Sequence, residues 1–226
     1  MMELMYGDKG GACAVIGALQ GCLDLKLNKN IVFACAFAEN AIGKDAYKPA
    51  DILTAMNGLT VEIRNTDAEG RLVMSDCMTY VQRNFNPKQC IYIATLTGSV
   101  GIALGKTTAG VFSTNDEMVK AINKASENTF EQVWHLPLND EHRADIKGTF
   151  GADIANTGTG RLGGASTAAA FLERFIEQDR PWAHIDIGPG IFMERDSSGF
   201  GAKLLLDFIN NIEVKEFQNF VVPPAA

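Results

Sequence analysis

The chain has 226 residues, 46% of them hydrophobic and 21% charged, a length and balance that give one globular domain with a sizeable core and exclude a disordered or membrane-spanning polypeptide. A formal net charge of −7 leaves no broad cationic surface to neutralise phosphates, which argues against nucleic acid as the main partner.

Residues from Gly10 to about Leu27 repeat small and apolar side chains (Ala12, Val15, Ile16, Leu19, Leu23) at helical spacing, and Gly10-Gly11 permits close packing at the start of that helix. Ile31 to Ala38 is a nearly continuous apolar run between asparagines, which predicts a strand in the middle of a sheet. Ile52 to Met56 and Thr60 to Ile63 flank Asn57-Gly58, a strong hairpin signal. Beyond Gly70, Leu72, Val73, Cys77, Tyr80 and Val81 fall at helical spacing, so Arg71 belongs to the first turn of a second helix. Ile91 to Ala94 reads as a strand ending in the turn Thr95-Leu96-Thr97-Gly98, and Val111 to Ser113 adds another strand. Helices are expected over Asp116 to Ser126, Gly164 to Ile176 and Lys203 to Ile212, with a last buried strand over Ala183 to Ile187. Gly148 to Gly164 holds six glycines and reads either as a long surface connection or as a lid or pocket wall. Strands alternating with helices predict an α/β fold, a three-layer αβα sandwich around a mixed, largely buried central sheet. The domain is expected to span residues 1–212, with 213–226 a tail.

Cys13, Cys22, Cys35, Cys77 and Cys90 are odd in number, lack C-x-x-C spacing and lie in apolar stretches. They read as buried thiols of a reducing compartment, neither a disulfide framework nor a zinc site. The N-terminus has no cationic segment before an apolar run, and no stretch approaches ~18 uninterrupted apolar residues, so a cytoplasmic location is expected.

The richest chemistry lies in Asn65-Thr66-Asp67-Ala68-Glu69-Gly70-Arg71-Leu72. Asp67 and Glu69, two residues apart in extended backbone, point to one side and can converge hard oxygen ligands on a divalent cation. Arg71 stays charged at working pH and can hold an anion beside them. The same spacing also suits a helix N-cap followed by a first-turn acid. Asp8, ahead of Gly10-Gly11, carries the same two readings. His135, His142 and His184 form neither H-x-x-x-H nor H-E-x-x-H, so any metal here is held by carboxylates. Gly158, Gly160 and Gly163 have dinucleotide-fingerprint spacing without a strand before them, and no G-x-S-x-G nucleophile motif occurs.

The octapeptide resembles the signature of the leucyl aminopeptidase family, the dimetal cytosol aminopeptidases. Met2 to Ala12 resembles that family's segment around another metal aspartate, Ala94 to Gly98 its substrate-pocket turn, and Trp182 to Ile187 its last core strand. The resemblance runs from Met2 to about Asn210. It implies an aminopeptidase that releases N-terminal amino acids, often leucine, from peptides with two divalent metal ions, manganese or zinc. In that reading Glu69 bridges the two ions, Asp67 completes the more exchangeable site and Asp8 binds at the tighter one. Arg71 holds a carbonate-like anion, bicarbonate, that serves as general base. Met5, Asn65, Thr95, Leu96 and Gly98 line the pocket for the substrate's N-terminal residue. The family assembles as hexamers, so a homo-oligomer is implied.

Three family groups have no counterpart in these 226 residues: a metal-binding lysine, a bridging aspartate ahead of Gly-Gly, and a second lysine that polarises the substrate carbonyl. A metal-binding lysine must be neutral and needs a dedicated pocket, which a surface lysine such as Lys9 does not have. The chain is therefore expected to be truncated and weakly active alone. Lys9 also stands where the family usually has methionine, Gly188-Pro189 where it has Ala-Gly, and Ser198 to Gly201 differs from its usual Gly-Ala-Thr-Gly. The rival expectation is a catalytically inactive paralogue with a structural or assembly role. A DNA-binding role is disfavoured by the net charge.

Overall fold

A computed structural model describes residues 2–188 and 198–212. The expected tail 213–226, and Pro189 of the altered pocket floor, lie outside the described residues. A 3-10 turn over Met2–Gly7 leads into helix α1 (Gly10–Asp24). Ala14, Ala18 and Cys22 are buried along one face of α1, the four-residue spacing that brings side chains into line on a helix. The close approach expected of Gly10-Gly11 is present: a Cβ on Gly11 would stand 2.2 Å from the Ile93 carbonyl oxygen.

Residues 31–38 form no strand, contrary to the sequence expectation. The segment is extended without a β-ladder. Ile31 and Phe33 pack against the core while Val32 and Phe37 stay exposed. An apolar run becomes a strand only where a neighbour pairs its N–H and C=O groups, and none of the described strands does so here.

The hairpin forms as read, from strands β1 (Ile52–Thr54) and β2 (Thr60–Glu62), with Leu53 opposite Val61. Gly58 takes a φ of +98° in the connecting loop, a conformation that suits glycine. The second helix, α2 (Gly70–Phe85), carries Arg71 in its first turn. Next come β3 (Cys90–Ala94), α3 (Gly98–Leu104), β4 (Thr108–Phe112), α4 (Asp116–Thr129), β5 (Gln132–His135) and α5 (Asp140–Asp145). Strand β6 (Ile154–Ala155), α6 (Gly164–Glu173), β7 (Trp182–Asp186) and α7 (Ala202–Asn211) complete the described chain.

Four strands in the order β3-β7-β4-β5 make a mixed sheet, in which β7 runs parallel to β3 and antiparallel to β4. β1, β2 and β6 make a second, three-stranded mixed sheet. Alternation along β7 divides its side chains between layers. Ala183, Ile185 and Ile187 face a core built with Ala14 and Ala18 of α1, Met118 and Ile122 of α4, and Leu204 and Phe208 of α7. His184 and Asp186, on the other face, are fully buried. Beneath the second sheet Val61, Ile63, Met78, Ile154 and Phe171 form a further core. The α/β class and layered arrangement follow the sequence expectation. The described strands form two sheets rather than one, and residues 31–38 join neither.

Two of the three parallel pairs, β2–β6 and β3–β7, end their strands near the residues singled out above. Glu62 lies beside Ala155, and Ala94 beside Asp186. The segments leaving those four ends carry nearly all the chemistry singled out above.

Candidate functional site

The octapeptide leaves β2, and its path is set by Asn156, the residue that follows β6. Asn156 is wholly buried. Its side-chain oxygen accepts the N–H of Arg64 at 2.9 Å and of Asn65 at 3.3 Å, while its amide donates to the Asn65 carbonyl at 2.6 Å. Its own carbonyl accepts Nη1 of Arg71 at 2.7 Å. One buried residue thus holds both ends of the loop that carries Asp67 and Glu69, the first with its side-chain amide and the second with its main-chain carbonyl. Gly148 to Gly164 is accordingly not a uniform surface connection, since it contains β6 and this clamp. Its glycine content masked the part that matters most.

Asn65 turns the loop by accepting the Asp67 N–H at 3.0 Å, a side-chain turn suited to asparagine. Asp67 is exposed. Glu69 occupies the N-cap of α2 but accepts no capping hydrogen bond from the helix with its side chain, so capping does not account for its carboxylate. Burial raises the pKa of Glu69; nearby Asp8 and Asp67 raise it further, against lowering by its own backbone N–H and by Arg71. Residues from two separate stretches, the segment before α1 and the octapeptide, therefore share one electrostatic neighbourhood.

Arg71 is buried, and its Nε has no hydrogen-bond partner. Desolvation lowers its pKa to about 10, opposed by Asp186 and Glu69. It remains a cation at neutral pH with an uncommitted donor, the equipment for holding an anion.

On the other edge, the turn after β3 reaches Asp8. The Thr95 hydroxyl donates to Asp8 Oδ1 at 2.8 Å. Leu96 stands beside the octapeptide, its Cδ1 4.0 Å from where a Cβ on Gly70 would lie. Beneath the turn the Asp186 carboxylate accepts the N–H groups of Leu96, Thr97 and Gly188 and the Thr97 hydroxyl. Met5 is exposed in the 3-10 turn, and its carbonyl accepts the Asp8 N–H. Gly98 opens α3 with open space around its Cα.

Asp8, Asp67, Glu69, Arg71, Thr95 and Leu96 are brought into one region; Met5 joins through the backbone and Asn65 through its turn. Among the described residues, however, no three His, Cys, Asp or Glu side chains gather in a set that can hold a metal ion. Asp8, Asp67 and Glu69 alone do not fit a metal centre. Sequence reasoning missed Asn156 and Asp186 as organising groups, though both are polar residues within or beside apolar strands, a pattern that burial makes meaningful. A separate, open cavity of about 790 Å³ lies between α5 and residues 159–163, lined in part by Arg64, His142, Asp145 and Lys147. None of the predicted site residues lines it.

The histidines stay apart from the acids. His135 is exposed, His142 closes a capping box with Asn139 at the start of α5, and His184 is buried and held neutral by desolvation. All five cysteines are free; Cys22 and Cys90 are buried as expected, whereas Cys13 is exposed.

Carboxylates and a buried arginine gathered at the carboxyl ends of strands define an α/β domain with a polar site at that edge. Residues 1–206 match the model of the cytosol aminopeptidase family, catalytic domain. The probable cytosol aminopeptidase of Methylobacterium radiotolerans is 47% identical over 212 residues, covering 90% of this chain and 41% of that protein. That of Actinobacillus succinogenes is 45% identical, covering 93% of this chain and 43% of its own length. A mutant tomato leucine aminopeptidase superposes with a TM-score of 0.85 at 35% identity, over 92% of this chain and 42% of that one. The chain belongs to the cytosol aminopeptidase family. It spans about two fifths of the length of these relatives.

Proposed function

We propose that the chain acts in an aminopeptidase that releases N-terminal, leucine-type amino acids from peptides, and that by itself it turns over weakly. The observation that carries this reading is the shared neighbourhood of Asp8, Asp67, Glu69 and Arg71, reached by the Thr95 turn. In this reading Thr95, Leu96, Gly98, Met5 and Asn65 receive the substrate's first residue. Arg71 offers its free donor to an anion such as bicarbonate or to the oxyanion that develops at the scissile carbonyl.

The family reading adds two manganese or zinc ions, a homo-hexamer and a cytoplasmic location. It also makes residues 1–212 the peptidase domain and 213–226 a tail. For the ions, the three carboxylates supply part of a ligand set and need further donors, which is why weak turnover is expected. No helix among the described residues is long and apolar enough to cross a membrane.

The lack of a three-ligand set among the described residues favours one second reading, a family member with a structural or assembly role. Assay of the purified 226-residue chain on leucyl-p-nitroanilide, with and without added Mn²⁺ or Zn²⁺, separates the two. Slow, metal-stimulated hydrolysis that Glu69→Gln abolishes supports the aminopeptidase reading. Hydrolysis that is undetectable under every condition, together with calorimetric silence towards both ions, supports the structural one.

A further inference from the structure

Asp186 ends β7 inside the molecule, where the register sets it beside Ala94, the last residue of β3. A buried carboxylate is costly unless hydrogen bonds replace its water. Asp186 has four: Oδ1 accepts the N–H of Leu96 at 3.1 Å, of Thr97 at 3.3 Å and of Gly188 at 3.1 Å, and Oδ2 accepts the Thr97 hydroxyl at 2.6 Å. The same Thr97 hydroxyl accepts the Val100 N–H at 3.1 Å, so it also caps α3. A turn left to itself would direct these N–H groups at solvent. Here they all point at one buried acid, so the backbone of residues 95–98 has a single orientation.

That orientation determines where the outer side of the turn lies. Thr95, next to the clamped residues, presents its hydroxyl to Asp8, and Leu96 presents its side chain towards Gly70. Gly188 belongs to the same arrangement. Its φ is +38°, and a Cβ there would stand 2.3 Å from Val100 Cγ1, so glycine lets the chain after β7 pass close beneath α3.

We propose that Asp186 is the positioning residue of the substrate turn, holding residues 95–98 from the interior so that Thr95 meets Asp8 and Leu96 faces the octapeptide. The inference rests on the reading of that turn as the binding site for the substrate's first residue. Asp186 touches no substrate in this arrangement; it acts through the backbone of Leu96 and Thr97. The charged and titratable groups of its surroundings are Arg71 on α2, which interacts with it electrostatically, and His184 on the same face of β7, which is neutral. From the turn between β3 and α3 it meets the Leu96 and Thr97 N–H groups and the Thr97 hydroxyl, and from the chain after β7 the Gly188 N–H.

Nitrogen-15 NMR of the full 226-residue chain tests the clamp without reference to activity. The amide resonances of Leu96, Thr97 and Gly188 should titrate together, with a midpoint near pH 6, the value to which burial raises Asp186. Asp186→Asn should abolish that shared titration and displace the Thr95 resonance as well. Independent titration of the three amides, or a Thr95 resonance indifferent to the substitution, would overturn the proposal. Should Asp186→Asn fail to fold, Thr97→Val removes the 2.6 Å bond and Thr97→Ser restores it. Displacement of the Leu96 and Thr95 amides in the valine variant and recovery in the serine variant supports the clamp, and equal spectra for the two overturn it.

A kinetic arm concerns the substrate. On leucyl-p-nitroanilide the Thr97→Val chain should show a KM raised by about tenfold with a smaller change in kcat, as expected when a binding surface loses a charged hydrogen bond. A fall in kcat at constant KM contradicts the positioning role. If the unaltered chain hydrolyses nothing, the aminopeptidase reading fails, while the NMR arm still decides whether Asp186 holds the turn.

Discussion

The buried side-chain amide of Asn156 satisfies backbone groups at the start of the octapeptide, and its removal should be felt well beyond its own volume. In Asn156→Ala the N–H groups of Arg64 and Asn65 and the carbonyl of Asn65 lose their partner. Buried polar groups left unpaired cost roughly 1–3 kcal/mol each before relaxation, so a net loss of about 2–4 kcal/mol is expected in denaturant unfolding. A loss below ~1 kcal/mol would mean that the loop keeps its shape without the clamp. Asp67, Glu69 and Arg71 were legible as a group because their residue types and spacing suggest a purpose before any fold is known. Asn156 was not legible in that way. One asparagine in a glycine-rich stretch has no distinguishing pattern until β6 pairs with β2 and brings it against Asn65.

Between elements, the contact of α1 with β3 decides a question that helix propensity would answer wrongly. Alanine normally stabilises a helix interior by up to ~1 kcal/mol relative to glycine. At position 11 the added methyl would meet the Ile93 carbonyl oxygen at 2.2 Å and Ala94 Cα at 2.7 Å. Overpacking of that kind costs about 1–3 kcal/mol, so the clash outweighs the propensity. Gly11→Ala should lower the unfolding midpoint, and in NMR it should shift Thr95, which follows directly from the displaced strand end. A raised midpoint would show that α1 can move away without cost. The close approach was foreseeable from Gly10-Gly11, and the hairpin from Asn57-Gly58. The short elements α3, β5 and α5 were not, because each has too few residues to establish a period. Residues 31–38 show the converse, an apolar run whose pattern predicts a strand but which has no paired neighbour among the described strands.

For the molecule as a whole, two buried groups on one face of β7 give opposite responses to pH. Burial raises Asp186 from 3.8 to about 6, so the folded chain holds that proton more tightly than the unfolded chain. Its stabilising contribution is present below about pH 4 and is lost as the pH rises through about 6. Burial lowers His184 from 6.5 to about 3. Its contribution is present above pH 6.5 and is lost as the pH falls towards about 3. Each shift is worth ~1.4 kcal/mol per pH unit, so from pH 6 down to 4 the two oppose each other and below 4 His184 acts alone. The contribution of this pair to the unfolding free energy should therefore vary little between pH 6 and 4 and fall more steeply below 4. In Asp186→Asn the offset is gone and stability should decline throughout that window. Urea titrations at half-unit pH steps would contradict this if the two curves ran parallel.

The sequence by itself determined the α/β class, the main helices, the hairpin and the residues with metal-ligand and anion-binding chemistry. Those properties reside in local periodicity, turn chemistry and residue type, and each can be read over a few neighbouring positions. Tertiary structure alone decided the rest. It brought Asp8 within reach of Thr95, set Asn156 and Asp186 as supports of the two loops, and left residues 31–38 without a ladder. These outcomes depend on strand pairing and burial between distant segments, and a buried polar group acquires its role only when the fold selects its partners.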